Sequence, residues 1–235
     1  MNSQNPYSTL SPKIKTALDA IIAGLPLNPT FENFNDALFN SLVGGNPPQD
    51  DLVIVYIKSV LPNVYNSFVT SRAVEKLQLI DNVPRFAEAA QYNHYSEKQY
   101  AIIYHLLKDI SNTPTESIPQ LLAATDEKIA ASGLSIVEQT PLFVATTAGK
   151  AVYEYWLQNI PQPSAWAAYM VNPNITPQAM DAVNYNNVGN WVSASMQGAL
   201  LAWGSINLPK VEFVDMMSAY LGAVGLGAGK VMFRW

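Results

Sequence analysis

Side chains that commonly carry acid–base or metal chemistry are scarce in this chain, which has two histidines, His94 and His105, and no cysteine. Without cysteine, disulfides, thiol nucleophiles and cysteine-ligated zinc or iron–sulfur sites are excluded. On one continuous helix the two histidines would stand about 16 Å apart along the axis, too far to share a metal ion. His105 and Asp109 have i, i+4 spacing but offer two ligands, whereas catalytic zinc usually has three protein ligands. We therefore expect no metal site and no cofactor, with His105 partly exposed near the C-terminus of a helix.

Motifs of nucleophilic catalysis are also missing: the sequence contains no G-x-S-x-G, S-x-x-K or H-E-x-x-H. A Ser/His/Asp triad assembled from distant positions stays open, because triads are defined by geometry. Adjacent carboxylates occur at Asp50-Asp51 and at Asp126-Glu127. The first pair follows two prolines at a predicted helix start, and the second precedes Lys128, so both are typical of helix caps and solvated surface. We expect no catalytic residues and favour a protein that is not an enzyme.

The glycine-rich segment near the C-terminus resembles a phosphate-binding loop only superficially. In G-x-x-x-x-G-K-[ST] the first glycine would be residue 224, which is Val, and Val231 stands where Ser or Thr is required. Small residues instead recur every three or four positions, which favours close helix packing. Glycines inside a water-exposed helix cost about 1 kcal/mol each, so packing must offset them. The interaction residues predicted in this segment are Ser218, Gly222, Gly225, Gly229, Phe233 and Trp235. Packing against protein is the favoured interpretation, and insertion into a membrane is the alternative.

Residues 188–206 form a second uncharged segment, with Trp191 and Trp203 near its ends. Its Asn, Ser and Gln residues make it only mildly hydrophobic, which favours a buried or interface helix over a membrane span. The two tryptophans complete the set of predicted interaction residues.

Helix signals occur throughout the chain and predict an all-α fold of roughly eight to ten helices with short Pro/Gly/Asn-rich connections. Ser11-Pro12 predicts the start of an amphipathic helix, and Thr30 the start of a second. The apolar stripe of the first helix has helical spacing: Ile14, Ala17, Leu18, Ile21, Ile22 and Leu25. The stripe of the second is Phe31, Phe34, Leu38 and Leu42.

Three capping boxes are predicted by a serine followed three residues later by Gln or Glu. They are Ser96 with Gln99, Ser117 with Gln120, and Ser135 with Glu138. Gly133 predicts a helix stop, and Thr176-Pro177 predicts the start of a long helix after an irregular linker at 161–177.

Charge divides the chain into two parts. Only 13% of the residues are charged, against about 25% in a typical soluble domain. Residues 1–138 form an acidic amphipathic region with 9 basic and 14 acidic groups, whereas residues 139–235 hold 4 of each and end in the Gly/Ala-rich segment. The two parts could also form one continuous domain. A net charge of −5 argues against nucleic acid as a partner.

Several short motifs resemble those of uncharacterised helical proteins of Bacteroidetes-type genomes. They are Asn5-Pro6-Tyr7 before an amphipathic helix, Ser96-Glu97-Lys98-Gln99, residues 145–148 leading to Tyr155-Trp156, and the Gly/Ala-rich C-terminus. The resemblance implies a helical protein with a small-residue tail. It brings no activity and no site residue with it.

Together these features predict a non-enzymatic helical interaction or structural protein whose charge-poor part packs in a homo-oligomer or larger assembly. A membrane-active or exported effector that inserts its C-terminal helix is the first alternative, and a small-molecule-binding helical domain is the second. The N-terminus has no basic segment followed by an apolar one, so the default compartment is cytoplasmic, with non-classical export left open.

Overall fold

The computed structural model describes residues 5–26, 31–43, 95–159 and 177–205. These ranges contain six α-helices and no strand, which confirms the all-α prediction. The predicted total of eight to ten helices concerns the whole chain and stays a prediction. The helices are α1 Leu10–Gly24, α2 Phe31–Val43, α3 Glu97–Asn112, α4 Ile118–Ala130, α5 Ile136–Asn159 and α6 Pro177–Ser205.

Helix α1 begins at Leu10, so the predicted N-cap at Ser11 is wrong. The preceding residues already form turns, in which the Leu10 amide donates to the Tyr7 carbonyl at 2.9 Å. The Asn5 side-chain oxygen accepts from the Tyr7 amide at 2.9 Å and starts this series of turns. Pro12 therefore lies within the first helical turn, where a missing N–H removes no intrahelical hydrogen bond.

The apolar stripes of the first two helices form part of the core, as predicted. Ile14, Leu18 and Ile21 of α1 are buried, as are Phe34 and Leu38 of α2. Helix α1 packs against both α2 and α5. The predicted Phe31 and Leu42 side chains lie outside the described residues.

Two of the three predicted capping boxes are confirmed. Ser96 and Gln99 exchange hydrogen bonds at the start of α3, and Ser135 and Glu138 do so at the start of α5. Ser117 forms no side-chain cap, because a 3-10 turn over Thr115–Ser117 runs directly into α4 and gives Ser117 helical backbone angles. Gly133, with φ of 68°, lies in the turn after α4, as its predicted role as a stop requires.

The centre of the fold is the pair α5 and α6, which make the most extensive helix–helix contact among the described residues. From Thr140 to Trp156, α5 is buried at every position except Lys150 and Glu154. Residues 191–203 of α6 are buried on all sides. A helix enclosed on all faces has little room for charged side chains. The shortage of charge in these stretches is therefore explained by burial within the chain itself.

One glycine sets the distance between these two helices. A Cβ atom added at Gly149 of α5 would lie 2.9 Å from both Cγ and Sδ of Met196 and 3.3 Å from Cγ1 of Val192. Real Cβ atoms essentially never show contacts of 2.9 Å. Glycine at position 149 therefore permits this close approach of α6, and a larger residue would require the Met196 side chain to shift.

Candidate functional site

The densest polar cluster of the described residues surrounds Asp126 of α4, which is only 3% exposed. Thr146 Oγ1 donates to Asp126 Oδ1 at 2.5 Å, and Asn5 Nδ2 lies 3.2 Å from Oδ2. Lys150 of α5 forms an ion pair with Oδ2. The cluster therefore joins three parts of the chain: the segment before α1, helix α4 and helix α5.

The expectation that Asp126 belongs to a solvated surface is wrong. Asp126 lies on the buried face of α4 between Leu122 and Ile129, whereas its neighbour Glu127 is exposed as predicted. The sequence indicates this burial, because Asp126 is four residues after Leu122 and three before Ile129 and so shares a helix face with them. A second signal is Lys150, the single basic residue between Lys128 and Lys210. Both features are visible in the sequence, but whether Asp126 pairs with Lys150 depends on how α4 packs against α5.

The Asp126 cluster holds the segment before α1, helix α4 and helix α5 in one arrangement. Thr146 is fully buried, and its hydroxyl lies between the Asp126 carboxylate and the Phe143 carbonyl, 3.1 Å away. Asn5 Nδ2 also lies 3.1 Å from the Phe143 carbonyl. The carboxylate is therefore satisfied by protein donors, and only the Lys150 side chain, 32% exposed, reaches solvent. Buried polar groups with complete hydrogen bonding fix one arrangement of the surrounding elements.

His105 is exposed, as predicted, but it lies in the middle of α3 rather than near its C-terminus. Its ring makes an edge contact with Tyr104, with ring centroids 5.5 Å apart. In the described parts of the chain, no group of three His, Asp or Glu residues could hold a metal ion. His94 lies outside the described residues.

The two predicted interaction tryptophans contribute to the chain's own core. Trp191 contacts Trp156 of α5, with ring centroids 5.0 Å apart. Trp203 stacks on Tyr95 at 6.2 Å, and the Tyr95 hydroxyl donates to the Leu200 carbonyl at 2.8 Å. Burial raises the pKa of Tyr95 above its ordinary value. A buried or interface helix was predicted for residues 188–206, and the described residues of that segment form part of α6 and are buried from 191 to 203. The other six predicted interaction residues lie outside the described residues: Ser218, Gly222, Gly225, Gly229, Phe233 and Trp235.

An exposed apolar pair, absent from the sequence-based predictions, lies on the first turn of α5. Ile136 is 83% exposed and Val137 is 62% exposed, and they are the large hydrophobic residues left exposed in the described part of the chain. The turn that carries them is well anchored. In addition to the Ser135 capping box, Gln99 Nε2 donates to the Glu138 carbonyl and Gln139 Nε2 to the Leu134 carbonyl, both at 2.8 Å.

A shallow polar depression lies between α1 and α2 and has a volume of about 300 Å³. One side consists of small residues at the end of α1, and the other consists of amide, carboxylate and hydroxyl groups of α2. Its lining residues are Ala20, Gly24, Pro26, Asn33, Asp36, Ala37, Asn40 and Ser41.

None of the described helices combines the length and hydropathy needed to cross a membrane. Comparison with known proteins finds no matching family model, no matching curated protein and no matching solved structure. The resemblance to Bacteroidetes-type helical proteins therefore stays a prediction.

Proposed function

We propose that this chain is a helical interaction protein that acts through protein–protein contacts and forms a homo-oligomer. The observation that carries the proposal is the exposed pair Ile136 and Val137. Two adjacent β-branched residues on an anchored turn leave most of their apolar surface exposed to water. Burying that surface against protein is favourable by about 25 cal/mol per Å².

The charge-poor part of the chain supports the proposal in a different way from the one first expected. Its described residues on α5 and α6 are covered within the chain, so these helices act as a rigid core rather than as the contact surface. Among the described residues, the exposed apolar surface proposed for association lies at the N-terminal end of α5. A rigid core favours binding because less conformational freedom is lost when two molecules associate.

Light scattering coupled to size-exclusion chromatography tests this function. The full chain is compared over a wide concentration range with the double variant Ile136→Ser/Val137→Ser, and urea unfolding checks that the variant is folded. We expect the wild-type mass to rise with concentration and the variant mass to stay nearer the monomer. Wild-type protein that stays a monomer at every concentration would overturn the homo-oligomer.

A small-molecule-binding role is the second candidate, and the depression between α1 and α2 favours it. Asn33, Asp36 and Asn40 place polar groups at helical spacing on one side of it, and convergent polar groups fix the orientation of a ligand in many binding sites. A screen of small amines and amides by thermal shift, with Asp36→Ala as control, tests this role. Shifts lost in the variant would support it, and the absence of any shift would contradict it.

The membrane-active alternative depends on residues 206–235, which lie outside the described residues. Flotation of the full chain with neutral and with anionic vesicles tests it. Failure to float with either kind of vesicle would contradict it.

A further inference from the structure

We propose that the Asp126 cluster forms an amide bond within the chain, in which the Lys150 amine attacks the side-chain amide of Asn5. The product is an isopeptide bond between Lys150 Nζ and Asn5 Cγ, with release of ammonium. The bond joins the segment before α1 covalently to α5. This inference goes beyond the proposed function and does not depend on the oligomeric state.

The attacking nitrogen and the leaving nitrogen contact the same carboxylate. Lys150 Nζ forms an ion pair with Asp126 Oδ2, and Asn5 Nδ2 lies 3.2 Å from that same oxygen and 3.3 Å from Oδ1. Lys150 Nζ must lose a proton before it can attack, and Asn5 Nδ2 must gain one before it can leave. A carboxylate in contact with both nitrogens can carry the proton from the first to the second.

The surroundings of Asn5 Nδ2 suit a leaving ammonium ion better than the amide itself. This nitrogen lies within 3.3 Å of four acceptor atoms, namely both carboxylate oxygens of Asp126, the Phe143 carbonyl and the Thr146 hydroxyl. A side-chain amide has only two hydrogens to donate, whereas an ammonium ion has one for each of these acceptors. Interactions that strengthen as charge develops on the leaving nitrogen are the ones that accelerate a reaction.

The carbonyl oxygen of the same amide already has a donor. The Tyr7 backbone N–H donates to Asn5 Oδ1 at 2.9 Å. Negative charge develops on this oxygen when an amine adds to Cγ, and a fixed backbone N–H stabilises that charge. Tyr7 is held against α5 by the hydrogen bond between its hydroxyl and that of Thr140, at 3.2 Å. The turn that positions Asn5 therefore also positions the donor for its carbonyl oxygen.

The step balances without any added reactant. The Lys150 ammonium gives one proton to Asp126, and the neutral amine then forms a bond to Asn5 Cγ. The Cγ–Nδ2 bond breaks as Asp126 passes protons from Nζ to Nδ2, two in all, so that Nδ2 departs as ammonium. The Asp126 carboxylate is regenerated, and nothing is oxidised or reduced.

The fold favours this reaction over hydrolysis of the amide. Asn5, Asp126 and Thr146 are buried, which limits the access of water, the competing nucleophile. Lys150 and Asn5 are distant in the sequence, but the folded chain holds them on one carboxylate. An attack that would be slow between separate molecules thereby becomes intramolecular.

Intact-mass spectrometry of the full wild-type chain, incubated at neutral and at mildly alkaline pH, tests the bond. We expect a species that is lighter than the sequence by one ammonia molecule and grows with time. Trypsin should then release a branched peptide that joins residues 1–13 to residues 129–210, because it cleaves at the lysines that flank these segments but not after an acylated Lys150. A chain that keeps the full mass of its sequence, or an ammonia loss without this branched peptide, would overturn the proposal.

Three variants test the assigned roles. Lys150→Arg keeps a cation beside Asp126 but replaces the amine with a guanidinium, which stays protonated, so it should abolish the ammonia loss. Lys15→Arg is the matched control, because Lys15 pairs with Glu154 of the same helix α5, and it should leave the loss unchanged. Ammonia loss that persists in Lys150→Arg would refute the assigned nucleophile.

Asp126→Asn keeps the shape of the side chain but removes the proton carrier. We expect it to slow the ammonia loss by about 100-fold or more, and circular dichroism checks that the variant is folded. An unchanged rate in folded Asp126→Asn would overturn the role of the carboxylate.

Discussion

Gly149 of α5 lies directly against Met196 of α6, so close that a single added carbon at position 149 would be 2.9 Å from two atoms of the methionine side chain. Met196 is itself fully buried, as are Val192 and Ala199 on the same helix. At this point the contact between α5 and α6, the most extensive among the described helices, leaves little room for a side chain at position 149.

Gly149→Ala should lower the free energy of unfolding by about 1–3 kcal/mol, the usual penalty for overpacking a core. The flexible Met196 side chain can absorb part of the overlap. Gly24→Ala is the matched control, since nothing lies within 4 Å of an added Cβ at the end of α1. We expect that control to be unchanged or more stable by up to about 1 kcal/mol. Urea unfolding of both variants checks the pair, and equal stabilities would contradict the close approach.

Asp126 and Glu127 are adjacent carboxylates, one buried and one exposed. Alanine substitution should therefore lower the stability of the fold far more at Asp126 than at Glu127. Asp126→Ala removes the acceptor for Asn5 and Thr146 and the partner of Lys150. Breaking a buried pair of this kind costs about 3 kcal/mol. Glu127→Ala should change stability by less than about 0.5 kcal/mol, as for an ordinary surface position. Thermal or urea unfolding measures both, and a similar loss in the two variants would contradict the buried cluster.

Asn5 provides a sharper test of the same cluster, because its amide donates to a carboxylate. Asn5→Ala should destabilise the fold by about 1–3 kcal/mol, because it removes a buried donor to the charged Asp126 carboxylate. Asn5→Asp should be more destabilising at neutral pH, since it places a second negative charge beside Asp126. Unfolding at neutral and at acidic pH measures the difference. Asp and Ala variants of equal stability at neutral pH would contradict direct contact with the carboxylate.

The capping box at the start of α5 should make stability depend on pH in the acid range. Hydrogen bonds from Ser135, followed by smaller effects of Ser96 and of the charge on Lys98, lower the pKa of Glu138 from its ordinary 4.5. A carboxyl whose pKa is lower in the folded state stabilises the fold above the ordinary value and loses that contribution as the pH falls through the folded value. The wild-type advantage over Glu138→Gln should therefore be largest near neutral pH and should shrink below 4.5. A difference in unfolding free energy that is independent of pH would contradict the account.

The elements that depend on local signals were predictable, and those that depend on packing were not. The amphipathic stripe through Ile14 and Leu18 and the capping boxes at Ser96 and Ser135 follow from spacing alone. Ser117 has the same spacing, but the 3-10 turn over Thr115–Ser117 runs directly into α4 and gives Ser117 helical backbone angles, so its side chain does not cap the helix. Spacing alone therefore cannot distinguish a cap from a residue inside a continuous turn.

The candidate site was harder to predict than the fold. The exposure of Ile136 and Val137 depends on which face of the first turn of α5 is left uncovered, and that is a property of the tertiary arrangement. The burial of Trp191 and Trp203 is consistent with their uncharged surroundings, but their partners Trp156 and Tyr95 lie far away in sequence. Composition identified a region that must be covered, and the structure shows that the described part of it is covered by the chain itself.

Sedimentation equilibrium of the full wild-type chain tests the central claim most directly, because it reports mass in solution without a matrix or a label. The account predicts a reversible rise in average mass from monomer towards dimer as the concentration increases, and a clear reduction of that rise in Ile136→Ser/Val137→Ser. A mass that stays at 25.7 kDa, the mass of one chain, across the whole range would contradict it.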